Sequence, residues 1–155
     1  MTEAEQSAIS RKRCREIMTK SVRTASPDMT VHAAAALMRD GDMGAVPVVD
    51  GGKLAGIVTD RDIVVRIVAE GKSTESPIGE AMTTKLFTVG PEDFVFEAIR
   101  LMGDKQVRRI PVIVDDGELV GIIAMADVAL ETEDEREIAE TLEEISSGSA
   151  FWSRS

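Results

Sequence analysis

With 155 residues, 43% of them hydrophobic, and a formal net charge of −10, the chain can bury one sizeable core or two small ones, and it is not disordered as a whole. The acidic balance argues against sequence-independent binding to nucleic acid, whose affinity comes largely from lysine and arginine on phosphate; the run from Arg11 to Arg15 is the local exception. No apolar run approaches the roughly 18 residues of a membrane span, and no apolar segment at the N-terminus could serve as a secretory signal, so the expected setting is cytoplasmic, away from membranes.

Residues 1–15 read as a polar N-terminal tail. A single cysteine, Cys14, excludes an intramolecular disulfide and a multi-cysteine metal site. Its basic neighbours would lower a thiol pKa, but its place among them reads as an incidental thiol near a tail. Val22-Arg23-Thr24 is a short strand candidate, broken by Ser26-Pro27-Asp28 before Thr30 caps a helix over Val31 to Arg39, which Gly41 and Gly44 end. His32, the one histidine, reads as a surface residue near that helix start.

Ala45 to Val49 reads as a buried strand with Pro47 near its start, and Asp50-Gly51-Gly52 as a hairpin turn into Leu54 to Val58. Asp60 to Glu70 follows as a helix with Ile63, Val64, Ile67 and Val68 on one face, and Gly71 to Pro77 carries the composition of a linker.

The order then recurs. Met18, Pro27, Leu37, Met38, Pro47 and Val48 match Met82, Pro91, Leu101, Met102, Pro111 and Val112 at a spacing of 64 residues. Past the second hairpin, which holds one extra residue, Leu54, Gly56, Ile57 and Asp62 match Leu119, Gly121, Ile122 and Asp127 at a spacing of 65. The second copy therefore runs as strand Leu86 to Val89, helix Asp93 to Asp104, strand Ile110 to Val114, turn Asp115-Asp116-Gly117, strand Leu119 to Ile123 and a helix from Ala126. The expected boundaries are a tail over 1–15, repeat 1 over 16–72, a linker over 73–79, repeat 2 over 80–130, and an acidic helix with C-terminal tail over 131–155. Units this small bury too little apolar surface to be comfortable alone, so the two are expected to pack sheet to sheet as a pseudo-twofold pair. The matched methionines read as adaptable core filling, Phe87, Phe94 and Phe96 as core or interface residues, and Phe151-Trp152 as an aromatic pair in a polar tail.

The most informative stretch is Gly56-Ile57-Val58-Thr59-Asp60-Arg61-Asp62-Ile63-Val64, a strand running into a helix through Thr59. Two readings of Thr59 and Asp62 stand side by side. In one they form a capping box, the hydroxyl capping the helix and the acid reaching back. In the other, unpaired N–H groups at the helix start face a phosphate and Asp62 accepts from the adjacent hydroxyls of a ribose. No P-loop, nucleophile elbow or paired histidine and cysteine points to an enzyme.

The repeated Met before a short strand, the Ala45-Val46-Pro47-Val48-Val49 and Arg109-Ile110-Pro111-Val112-Ile113 strands, the Gly-containing hairpins and the closing Gly56 to Ile63 stretch resemble the CBS domain, in the tandem arrangement called a Bateman module. The resemblance covers residues 16–130 and is similar to short stand-alone prokaryotic CBS-pair proteins. It implies an α+β fold of two β-α-β-β-α repeats. It also implies an adenosine-containing ligand such as ATP, ADP or AMP at the strand-to-helix junction, between the repeats.

Carried over by this resemblance, Thr59 and Asp62 meet phosphate and ribose in repeat 1. The base lies between Val22 to Thr24 and the strand opening Ala45-Val46-Pro47, and Arg61 is a phosphate partner. Repeat 2 keeps Asp127 but has Ala124 in place of the hydroxyl, while Arg108 and Arg109 bring positive charge where repeat 1 has Gly44 and Ala45. The leading expectation is a non-catalytic regulatory module, a homodimer acting on a protein that no motif identifies. The alternative is a ligand-independent dimeric scaffold.

Overall fold

The computed structural model describes residues 12–131 and 143–145. These fall into two compact units. One holds Val22–Leu86 with Asp116–Leu119; the other holds the described parts of Met1–Ser21 and Val120–Ser155 together with Phe87–Asp115. They are termed the repeat-1 unit and the repeat-2 unit.

In the repeat-1 unit, helix α2 (Val31–Gly41) starts where the Thr30 hydroxyl accepts the Ala33 N–H at 3.0 Å. It ends on Asp42, in the left-handed region at φ 49°, so the stop falls one residue beyond the glycine expected to provide it. Strands β1 (Ala45–Asp50) and β2 (Lys53–Thr59) pair antiparallel from Ala45 opposite Thr59 to Asp50 opposite Lys53. Gly51 and Gly52 both take positive φ between them, as a two-residue hairpin matching strand twist requires. Val46, Val48 and Val58 are fully buried and form the core between hairpin and helices together with Val31, Ala34, Met38, Ile63 and Ile67.

Two expectations change here. Val22-Arg23-Thr24 is not a strand: pairing contracts to Ala25, which bridges Val48 in parallel through Ala25 N–H to Pro47 O (2.9 Å) and Val49 N–H to Ala25 O (2.8 Å). Pro27 follows too soon for a second ladder bond. The helix beyond Thr59 is α3 (Asp60–Ile63) for one turn and then widens to a π segment over Val64–Val68, with Ala69 N–H bonded to Val64 O at 2.8 Å. The wider turn narrows the apolar face to Ile63 and Ile67 and leaves Val64, Val65 and Val68 exposed.

The stretch read as a linker is packed. Val31 and His32 donate to Ser76 O and Thr74 O, Ile78 donates to Met29 O, and Ile78 and Ala81 are fully buried in the repeat-1 core. Ile78 and these main-chain bonds tie the stretch to the start of α2, while Ser73 to Glu75 and Pro77 stay exposed.

The repeat-2 unit reproduces these features. Val89 bridges Val112 as Ala25 bridges Val48, so the expected strand Leu86 to Val89 also contracts to one residue. Helix α4 (Val95–Lys105) ends on Gln106 at φ 57°, and β3 (Arg109–Ile113) bonds to β4 (Leu119–Ala124), which runs into α5 (Met125–Glu131). Ile99, Met102, Ile110, Val112, Ile123 and Val128 fill its core. Phe94 and Phe96 are half-buried and stack at 5.9 Å, and Met38 and Met102 are core residues of their respective units.

Residues 12–15, expected in a tail, belong to this unit. Helix α1 (Cys14–Ile17) is tied down by Cys14 N–H to Asp93 O, Arg15 N–H to Pro91 O and Val95 N–H to Lys12 O. Arg13 lies over the Phe94 ring at 4.0 Å. Cys14 is fully buried, not an exposed thiol; burial pushes its pKa up to about 12, with the charges of Asp93 and Glu97 acting the same way. Phe151-Trp152 and nearly all of the acidic segment after Glu131 lie outside the described residues.

Candidate functional site

The junction of β2 and α3 holds Thr59 and Asp62 in mutual contact. Asp62 N–H donates to Thr59 Oγ1 and Thr59 N–H donates to Asp62 Oδ2, both at 3.0 Å. The capping box is therefore complete. Asp60 N–H donates to Gly44 O at 3.0 Å, and Arg61 N–H donates to the Asp60 carboxylate at 2.8 Å. All the N–H groups of this first turn are thus occupied by acceptors of the chain itself, and the expectation of unpaired amides awaiting a phosphate is corrected. Thr59 and Asp60 supply side-chain oxygens and Gly44 a main-chain oxygen at the places where an anion would sit.

Of the remaining repeat-1 residues, those of β1 lie alongside the end of β2. Ala45 lies opposite Thr59, Val46 opposite Val58 and Pro47 opposite Ile57. Val46 and Pro47 are buried and the Pro47 carbonyl is taken by Ala25, so they present no open apolar wall to a base. Half-buried Val22 and Ala45 and exposed Thr24 are the accessible positions of the set. Arg61 is exposed, and its guanidinium has no partner among the described residues. Arg66 is committed differently, its Nη1 donating to Ala81 O at 3.1 Å and Met82 O at 2.9 Å.

That clamp delivers a residue the sequence reading missed. Thr83 exchanges two main-chain hydrogen bonds with Ile57, and its hydroxyl lies 3.5 Å from both Asp62 carboxylate oxygens. Such close approach needs Gly56, where an added Cβ would stand 2.8 Å from Thr83 O and 3.0 Å from Met82 Sδ. The repeat carried a usable signal, since Met18-Thr19 and Met82-Thr83 share the 64-residue spacing.

The repeat-2 unit brings Arg108, Arg109 and Asp127 to the matching junction. Met125 N–H donates to Arg108 O at 2.9 Å, as Asp60 does to Gly44, and Ala124 N–H donates to Asp127 Oδ2 at 3.1 Å. Half of the box survives; Ala124 has no hydroxyl to accept from Asp127 N–H. Arg109 opens β3, and both arginines are exposed. Thr19 keeps the two main-chain bonds to Ile122, but no bond joins its hydroxyl to Asp127.

Among the described residues no group of three or more His, Cys, Asp and Glu is placed to hold a metal ion, and no helix is long and apolar enough to cross a membrane.

Comparison with known proteins bears on this geometry. The CBS domain family model matches residues 14–69 and again 78–134. The CBS domain-containing protein YhcV of Bacillus subtilis is 43% identical over 116 residues, spanning 75% of this chain and 82% of that protein. The crystal structure of Hypoxic Response Protein I with two coordinated zinc ions superposes with a TM-score of 0.70 at 36% identity, covering 77% of this chain and 98% of that one. The CBS domain pair of MJ0100 in complex with 5′-methylthioadenosine and S-adenosyl-L-methionine gives 0.68 at 27% identity, covering 77% and 94%. Two matched repeats, each with an antiparallel hairpin, a left-handed helix stop and a strand running into a helix, make the chain a member of the CBS domain family, carrying a pair of CBS domains.

Proposed function

We propose that this CBS pair is a non-catalytic regulatory module that senses an adenosine-containing ligand, such as ATP, ADP or AMP, through the strand-to-helix junction of repeat 1. The observation carrying this reading is the half-buried Asp62 carboxylate. One oxygen is fixed by the Thr59 N–H, while Oδ1 takes no main-chain hydrogen bond among the described residues and can accept from a ribose hydroxyl. Ala45 borders the same turn opposite Thr59, Val46 and Pro47 follow it in β1, Val22 and Thr24 precede the Ala25 bridge to Val48, and Arg61 supplies a charge for a phosphate. The adenosine compounds bound by the CBS pair of MJ0100 support the ligand class. In repeat 2, Asp127, Arg108 and Arg109 form the weaker counterpart. A homodimer and a regulated protein partner complete the proposal, and the exposed Val64, Val65 and Val68 support an assembly that covers them.

A second reading is favoured by one specific observation: the first turn of α3 is fully hydrogen-bonded without any ligand, as a scaffold would need. Titration calorimetry of the wild type and Asp62→Ala against a panel of adenosine ligands separates the two. Binding by the wild type that is lost in Asp62→Ala supports sensing; no heat for any ligand into the millimolar range leaves the scaffold.

A further inference from the structure

We infer that Thr83 is a positioning residue of the repeat-1 ligand site, holding the Asp62 carboxylate in the orientation that receives a vicinal diol; this rests on the ligand reading above. Thr83 is distant from Thr59 and Asp62 in sequence, yet its main chain and its neighbours bring it to the junction. Its main chain bonds in both directions to Ile57, at 2.8 and 3.0 Å, which places it beside β2 two residues before Thr59. The Arg66 guanidinium grips the two carbonyls just before it. Gly56 gives up its side chain to let the segment approach.

The result is a cage. Thr59 N–H fixes Asp62 Oδ2, and the Thr83 hydroxyl lies 3.5 Å from both carboxylate oxygens. A carboxylate with one anchor can swing about its Cβ–Cγ bond, whose torsion is broad. A second anchor limits that swing and leaves Oδ1 aimed at one incoming hydroxyl. The Thr83 oxygen retains lone pairs for the neighbouring hydroxyl, so the carboxylate and the hydroxyl together match two adjacent donors.

Repeat 2 shows that the contact is not an unavoidable product of the fold. Thr19 occupies the matching place with the same pair of main-chain bonds to Ile122, but its hydroxyl is not bonded to Asp127. The backbone arrangement is thus satisfied in both repeats, whereas the side-chain contact is made only where Thr59 is also present.

The test measures affinity for the adenosine ligand selected by the calorimetric panel and for its 2′-deoxy analogue, in the wild type, Thr83→Val, Thr83→Ser, Asp62→Ala and the Thr83→Val/Asp62→Ala double variant. Thr83→Val keeps the β-branched shape and the main-chain bonds. It is expected to weaken the ribonucleoside about tenfold, as loss of a hydrogen bond to a charged group would, with little effect on the weaker 2′-deoxy analogue. Thr83→Ser is expected to restore affinity, and Thr83→Val to add nothing once Asp62 is gone. Wild-type affinity in Thr83→Val, or an equal loss for both ligands, overturns the role of Thr83 while leaving the ligand reading intact. Absence of binding in the wild type overturns the ligand reading, and the role of Thr83 with it.

Discussion

The two strand-to-helix junctions share the acid half of the capping box, and repeat 2 lacks the hydroxyl that completes it, which makes repeat 2 a ready test of what the cap contributes. Ala124 N–H already donates to Asp127 Oδ2 at 3.1 Å, within 0.1 Å of the Thr59 to Asp62 distance of 3.0 Å. Ala124→Thr therefore adds only the missing half, an acceptor for the Asp127 N–H. Side-chain caps contribute about 0.5–2 kcal/mol, and part of that is offset by fixing the threonine rotamer. The expected net gain is about 1 kcal/mol, a rise in Tm of about 2–4 °C for a chain of this size. Ala124 is half-buried, so added bulk needs its own control, and Ala124→Val supplies the same shape without the hydroxyl. Urea unfolding of wild type, Ala124→Thr, Ala124→Val and Thr59→Ala measures the set at constant slope. The order expected is Ala124→Thr most stable, and Thr59→Ala less stable than wild type by about 1–2 kcal/mol. A midpoint for Ala124→Thr no higher than that of Ala124→Val would refute the view that the junctions are geometrically equivalent.

Other features give separate checks. Gly56→Ala and Gly121→Ala each place a Cβ within 3.0 Å of a main-chain oxygen, Thr83 O at 2.8 Å and Thr19 O at 2.9 Å, so each is expected to destabilise by about 1–3 kcal/mol in urea unfolding. A loss below about 0.5 kcal/mol would show that the bridged segments yield easily. The folded Cys14 thiol titrates near 12 while the unfolded chain releases that proton near 9.0, so its contribution to stability is fully present below pH 9 and declines as pH rises toward 12. Unfolding between pH 8 and 10.5 should show a decline that Cys14→Ala reduces; an identical slope in the variant would refute it. Native Cys14 should also resist alkylation at pH 8 and react once urea unfolds the chain. Arg13→Ala removes the contact over Phe94 and the 2.7 Å bond to Glu92 O, costing about 1 kcal/mol and loosening the segment before Thr19 in hydrogen exchange.

Much of the fold was legible because its signals are local. Thr30, Gly51-Gly52 and the apolar run Ala45 to Val49 each act within a few residues, and the structure realises them as a helix cap, a hairpin turn and a strand with a buried centre. The repeat extended that reading to the second copy, where Val89 and Gln106 fall at the places set by Ala25 and Asp42. What local pattern missed was the destination of connecting segments. Lys12 to Arg15 carries charge all around Cys14, which reads as solvent-exposed until Asp93, Pro91 and Phe94 are seen to receive it. Ser73 to Ile78 has a linker's composition, yet its carbonyls and Ile78 are what the start of α2 packs against. The change from α to π beyond Ile63 was hidden for another reason, because both windings tolerate the same run of valine and isoleucine.

The site was legible in its residues but not in their state. Thr59 and Asp62 were singled out with two readings open, and the structure satisfies the capping box in full without removing the acceptor that a ribose would need. Capping and binding are therefore compatible uses of one carboxylate, because Oδ2 serves the helix and Oδ1 takes no main-chain hydrogen bond among the described residues. This division leaves an acceptor for a ribose hydroxyl but no unpaired N–H for a phosphate among Asp60, Arg61 and Asp62. A phosphate would compete with Thr59 and Asp60 for N–H groups already taken, whereas a hydroxyl competes with nothing in the main chain. Any phosphate on a ligand of repeat 1 must then be held by side chains, with Arg61 as the available charge. Arg61→Ala should accordingly weaken a nucleotide more than its nucleoside, and equal losses for the two would place the charge contact elsewhere.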